Sequence, residues 1–187
     1  MNVDSAGIYR TKNDFLTGNL SYLSNRRLKI KSDPFRLRFP LSYDWDEAIY
    51  LPQPDKTEVK IYPDSVFGFV ANGIKFVYID TEKKYLSVLH DKGPLYFFLK
   101  EKILYGGRFS RLEDILLYTP NLATPVKEFT IENIQYDFSS NQALRNQLLK
   151  LRNDIKKNHF FSRVDRNGFF EYQVLIRKGL GEDTSSH

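Results

Sequence analysis

At 187 residues, with 41% hydrophobic and 15% aromatic residues, the chain has the size and composition of one globular domain. Its 15 Phe and 12 Tyr exclude a disordered chain. With no cysteine, it has no disulfides, thiolate metal ligands or cysteine nucleophiles, while a net charge of +5 fits an ordinary solubilising surface. No run approaches the ~18–20 apolar residues that a membrane span needs.

The first element is expected to be a short helix. Thr11-Lys12-Asn13-Asp14 has the spacing of a capping box, Phe15 and Leu16 are its expected buried residues, and Gly18 is its expected stop. Arg27-Leu28-Lys29-Ile30-Lys31 and Phe35-Arg36-Leu37-Arg38-Phe39 then alternate between cationic and apolar residues. Period two predicts a two-stranded ribbon, with Ser32-Asp33-Pro34 as its turn. Ser42 to Thr57 is rich in Asp and Pro and reads as a loop, with Trp45 at the core edge.

The middle third reads as an antiparallel meander of four strands: Val66–Val70, Ile74–Ile79, Tyr85–Leu89 and Leu95–Leu104. Ala71-Asn72-Gly73 carries the Asn-Gly hairpin signal, because both residues tolerate positive φ. Asp80 to Lys83 and Asp91-Lys92-Gly93 supply the other turns. Tyr105-Gly106-Gly107 interrupts the pattern as a bend between strands. Leu112 to Tyr118 fits a strand or a brief helix, with the strand preferred, and Pro120 and Pro125 bracket an irregular link.

Thr130 to Ile134 suggests one helical turn. A longer helix is expected from about Asn141 to Lys157, capped by Ser139 with Gln142. Its stripe of Leu144, Leu148, Leu151 and Ile155 would pack on the sheet, while Arg145, Lys150, Arg152, Lys156 and Lys157 occupy the other faces. A closing β-hairpin is expected from His159–Val164 and Phe169–Ile176 around Asp165-Arg166-Asn167-Gly168. From Gly179 onward the chain should fray. The expected fold class is α+β, β-dominant: one domain over residues 1–187, with its core at about 7–178.

The chemistry-bearing patterns are sparse. A nucleophilic triad would have to use His90, His159 or His187, and His90-Asp91 sits where a strand enters a turn. There is no His-Glu-x-x-His and no calcium-spaced acidic loop. Asp44, Asp46 and Glu47 form the densest acidic group, which reads as a solvated loop. Gly106-Gly107-Arg108 lacks the continuation of a phosphate cradle. No catalytic residue, metal site or cofactor is assigned.

Arg26, Arg27, Lys29, Lys31, Arg36 and Arg38 line the outer face of the expected ribbon. Of these, Arg27, Lys29, Lys31, Arg36 and Arg38 are the candidate anion-binding residues, able to track a polyanion. Charges of this kind also keep an edge ribbon soluble and unpaired. The ribbon, with Phe35 and Phe39 on its inner face, is nearly free of exposed aromatics to serve as stacking platforms, which argues against nucleic acid.

Gly7-Ile8-Tyr9-Arg10-Thr11-Lys12-Asn13-Asp14-Phe15-Leu16-Thr17-Gly18, Ile61-Tyr62-Pro63-Asp64-Ser65-Val66-Phe67-Gly68-Phe69 with Gly73-Ile74-Lys75-Phe76, and Tyr85-Leu86-Ser87-Val88-Leu89 with Gly93-Pro94-Leu95-Tyr96 carry a resemblance. They resemble an uncharacterised family of small exported (periplasmic or surface) β-rich proteins of the Bacteroidetes. The likeness covers about two thirds of the chain. It implies an envelope location with the signal peptide removed, and it brings no catalytic residues. Met1 to Gly7 has neither a basic start nor an apolar stretch, so the alternative expectation is a cytoplasmic protein.

The resulting functional expectation is a non-enzymatic cell-envelope binding or scaffold protein with a protein or glycan partner and no membrane span. A hydrolase acting on an envelope polymer and a polyanion-binding module are the alternatives.

Overall fold

A computed structural model describes residues 6–24, 29–31, 42–44, 48–52, 57–61, 66–71, 73–106, 109–158 and 166–182. The fold is α+β, with antiparallel strands and, among the described residues, four helices. The chain divides into two compact units, residues 1–88 and 89–187.

The first unit opens with β1 (Ala6–Tyr9), α1 (Lys12–Thr17) and β2 (Ser21–Ser24). Helix α1 begins at a reciprocal capping box. The Asp14 N–H donates to Thr11 Oγ1 at 3.1 Å, and the Thr11 N–H donates to Asp14 Oδ2 at 2.9 Å. The helix stops at Gly18, whose φ of 73° is left-handed and carries no Cβ penalty in glycine. Phe15 is buried edge-on to Tyr9, whereas Leu16, expected in the core, is 51% exposed. Successive helical residues point about 100° apart, so a helix this short that buries Phe15 turns Leu16 outward.

Strand β1 pairs with β2 on one side and β7 (Gly68–Ala71) on the other. From β7 the antiparallel order continues through β8 (Ile74–Ile79) to β9 (Lys84–His90). The β7–β8 hairpin closes at Ala71↔Ile74, with Gly73 at φ 77° as the Asn-Gly signal demands; Asn72 lies outside the described residues. Phe69 and Phe76 are register partners, and their rings stack at 4.9 Å. The buried Tyr85 hydroxyl donates to the Val66 carbonyl at 2.9 Å, which satisfies the one polar atom of that ring.

Among its described residues, the segment from Ser42 to Thr57 forms strands in place of the expected loop. It holds β4 (Ser42–Asp44), which pairs with β9, and β5 (Ala48–Pro52), the centre of a small sheet ordered β3 (Lys29–Lys31), β5, β6 (Glu58–Ile61). Asp and Pro composition signals a loop, but β5 is laddered from both sides and Pro52 sits at its last position, where a missing N–H costs least. Strand β3 pairs with β5 through Lys29↔Tyr50 and Lys31↔Ala48. Its expected ribbon partner, residues 35–39, lies outside the described residues, as do the expected turn at 32–34 and Trp45.

In the second unit β10 (Tyr96–Gly106) and β11 (Phe109–Thr119) pair along their whole length, from Tyr96↔Thr119 to Gly106↔Phe109. Leu112 to Tyr118 is thus the preferred strand. The much shorter β12 (Lys127–Glu128) pairs only with Leu117 and Tyr118 of β11. Three helices follow: α2 (Ile131–Asp137), α3 (Gln142–Asn158) and α4 (Arg166–Gly179). The single turn expected after Thr130 runs on to seven residues, with the Thr130 hydroxyl accepting from the Asn133 N–H at 3.2 Å.

Helix α3 has the expected bounds but a different cap. The Leu144 N–H donates to Asn141 Oδ1 at 3.1 Å, so Asn141, not Ser139, holds the N-cap position. Leu148, Leu151 and Ile155 are buried and Leu144 is half-buried. Part of this stripe meets another helix. Leu151 lies against Gly179 of α4, and Gln147 Nε2 donates to the Gly179 carbonyl at 2.9 Å.

Helix α4 replaces the second strand of the expected closing hairpin; residues 159–165 lie outside the described residues. The apolar residues here fit two periods. Phe170, Tyr172, Val174 and Ile176 alternate as in a strand, while Phe169, Tyr172 and Ile176 follow the spacing of a helix face. The helical set is the buried one, and Phe170 and Val174 are exposed at 37% and 53%. Asn167-Gly168, expected as the turn, opens the helix instead.

The chain past α4 is also tied down further than expected. Gly181 adopts φ 78°, its N–H donates to the Lys178 carbonyl at 3.1 Å, and the Glu182 N–H donates to the Arg177 carbonyl at 2.9 Å. Residues 183–187 lie outside the described residues.

Candidate functional site

Strand β11, the segment from β12 to Thr130, and helices α3 and α4 enclose a cleft of about 230 Å³. Its apolar surface comes from Phe129, Ile155 and Tyr172, all buried, with Ile115 and Leu116 from the strand. Phe129 is fixed from several directions. Its N–H donates to the Leu116 carbonyl at 2.8 Å, its ring meets Phe97 and Tyr118 edge-on at 5.1 and 5.6 Å, and its carbonyl accepts from Arg152 Nε at 3.0 Å.

The charges around this surface have both signs. Glu113, Asp114 and Glu128 stand on the strands, and Arg152 and Lys156 stand one turn apart on α3. Among the described residues no ion pair joins Glu113 or Glu128 to Arg152 or Lys156. The hydrogen bond to Phe129 uses only the Nε of Arg152, whose side chain lines the cleft. Burial, followed by the negative charge of Asp114, pushes the Tyr172 hydroxyl up to about 12, so it stays protonated through the physiological range. Glu132 on α2 sits below the usual carboxylate range because its own N–H and the Thr130 hydroxyl bond to it, with Arg152 adding attraction.

Beside the cleft, Asp137 ends α2 as an acceptor for two donors. The Tyr118 hydroxyl bonds Oδ2 at 2.6 Å and the Lys127 ammonium bonds Oδ1. Burial works to raise the Asp137 carboxyl, but those two hydrogen bonds and the lysine charge outweigh it and hold the group low. Lys127 also stands 5.5 Å from the centre of the Tyr136 ring, which is 80% exposed beside a shallow hollow bordered by Glu132, Gln135 and Ser139.

The candidate anion-binding residues are only partly placed. Lys29 and Lys31 lie on β3, which pairs with β5, while Arg27, Arg36 and Arg38 lie outside the described residues. His90 is buried rather than set on a solvated edge. Its Nε2 is 3.2 Å from Glu182 Oε1, off the line of a good hydrogen bond, and Arg177 holds the other oxygen at 3.5 Å. Asp44 lies on β4, and Asp46 and Glu47 lie outside the described residues. Among the described residues no three metal-ligating side chains gather, and no helix is long and apolar enough to cross a membrane.

Sequence reading missed the cleft. Arg152 and Lys156 stand out only as cations on a helix face, Glu113 and Asp114 only as polar positions of a strand, and Glu128 falls in no expected element. Their juxtaposition depends on long-range packing. No protein-family model, curated protein or solved structure matches the chain.

Proposed function

We propose that the protein is a non-enzymatic binding protein of the cell envelope whose ligand seats in the cleft between β11 and α3. The observation that carries this reading is the apolar floor of Phe129, Ile155 and Tyr172 beneath charges of both signs. A concave apolar surface with a few convergent polar groups is the usual form of a small-ligand site. Binding is favoured over hydrolysis because His90, the one triad candidate among the described residues, is buried with its Nε2 toward Glu182, and that nitrogen has no described hydroxyl in hydrogen-bond reach.

The test is a titration of isotopically labelled protein with indole, phenol and tert-butanol, followed by NMR. Shifts should concentrate at Ile115, Phe129 and Ile155, and Ile115→Trp should abolish them by filling the space. Shifts that map elsewhere, or that survive the tryptophan, would refute the site. The envelope location is supported by the resemblance of residues 7–18, 61–69, 73–76, 85–89 and 93–96, and cell fractionation tests it separately.

A glycan contact is a second reading, favoured by Tyr136. Its exposed ring is held by Lys127, which Asp137 anchors, so the ring offers a positioned apolar face to a sugar. Titration with cellotetraose and chitotetraose should show binding that survives Tyr136→Phe and is lost in Tyr136→Ala.

A further inference from the structure

The charged walls of the cleft restrict its occupant. Glu113, Asp114 and Glu128 stand on the strand side and Arg152 and Lys156 on α3, and among the described residues no ion pair joins Glu113 or Glu128 to either cation. A simple anion would meet the two cations but also face three carboxylates. A simple cation would meet the reverse. A molecule carrying both charges satisfies each wall at once.

Size narrows the class further. At about 230 Å³ the cleft falls below the ~300–1,000 Å³ range typical of ligand pockets, which suits one residue-sized apolar body rather than a folded partner. The floor of Phe129, Ile155 and Tyr172 matches such a body. Arg152 and Lys156 are the groups for the anionic end. The Arg152 Nε donates to the Phe129 carbonyl, and its terminal nitrogens, attracted by Glu132 on one side, make no hydrogen bond among the described residues and so have donors to offer a carboxylate.

We infer that the occupant is an apolar amino acid, with its carboxylate toward Arg152 and Lys156 and its ammonium toward Glu113 and Glu128. The inference rests on the cleft being the binding site and adds the chemical class of its ligand.

Three probes of nearly equal shape test it on the full chain by NMR titration: L-leucine, 4-methylpentanoate, which lacks the ammonium, and 3-methylbutylamine, which lacks the carboxylate. L-leucine should shift the amides of Glu113–Leu116 and Arg152–Lys156 and bind at least about tenfold more tightly than either analogue, one bidentate charge contact being worth about that ratio. Lys156→Met should weaken L-leucine and leave the amine unaffected, while Glu113→Gln should weaken L-leucine and leave the acid unaffected. Equal binding of all three at the cleft would overturn the amino-acid assignment. So would the failure of all three where indole or phenol still binds, and in both cases the cleft itself would stand. If neither set of probes perturbs these residues, both readings fall together. The melting temperatures of the two variants, both at accessible positions, verify that they remain folded.

Discussion

Gly179 of α4 and Leu151 of α3 are packed so closely that a Cβ on the glycine would lie 2.6 Å from Leu151 Cδ1 and 3.1 Å from its Cβ and Cγ. The contact lets the two helices approach near the end of α4, and the Gln147 bond to the Gly179 carbonyl fastens the same point. Gly179→Ala should therefore destabilise the protein by about 1–3 kcal/mol through overpacking, despite the better helix propensity of alanine. A thermal melt should show a fall of roughly 2–4 °C per kcal/mol. Adding Leu151→Ala should recover part of the loss attributable to the clash, so the double-mutant coupling is the decisive reading.

Asp137 makes stability depend on acid pH. Its folded carboxyl lies below the ordinary value, so the unfolded chain binds a proton first as pH falls. The stabilisation is present in full above the unfolded range near 3.9 and is lost as pH falls through the lower folded value. Asp137→Asn should cost about 1 kcal/mol near neutrality, a modest figure because Lys127 is 43% exposed. Denaturant melts from pH 7 down to pH 2 should show the two proteins converging; a constant gap would contradict the assignment.

Tyr172 should have the opposite signature at alkaline pH. Its hydroxyl is raised to about 12, so the contribution is present below the unfolded value of about 10 and disappears as pH climbs through the folded one. Absorbance titration of the tyrosinates should show one late-ionising group missing from Tyr172→Phe. Over that pH window the variant should lose stability less steeply than the parent.

The two rival caps of α3 separate cleanly. Asn141 Oδ1 accepts from the Leu144 N–H, so Asn141→Ala should cost about 1 kcal/mol while Ser139→Ala stays within about 0.5 kcal/mol. Equal losses would mean that both side chains serve the helix start. Chemical denaturation at neutral pH is sufficient to tell them apart.

The meander strands β7 to β10 and the first helix were readable from sequence because their signals are local. The Thr11–Asp14 box, the left-handed Gly18 and the β7–β8 hairpin each depend on residues a few positions apart. The last helix was not readable in this way. The run from Phe169 to Ile176 satisfies a period of two and a period near 3.6, and the packing of α3 against α4 decides between them. The strands within Ser42–Pro52 were hidden for a related reason, since their pairing partners lie outside the segment itself.

The sequence by itself determined the α+β class, the middle strands, the bounds of α3 and its buried stripe, since side-chain period and turn chemistry act over a few residues. Only the tertiary structure brought Glu113 and Glu128 across from Arg152 and Lys156, and only it buried His90 against Glu182. A charge on a helix and a charge on a strand carry no mark of each other in the chain. Their meeting is set by the apolar burial that docks α3 and α4, which acts on distant segments and leaves the surface charges where the packed faces put them.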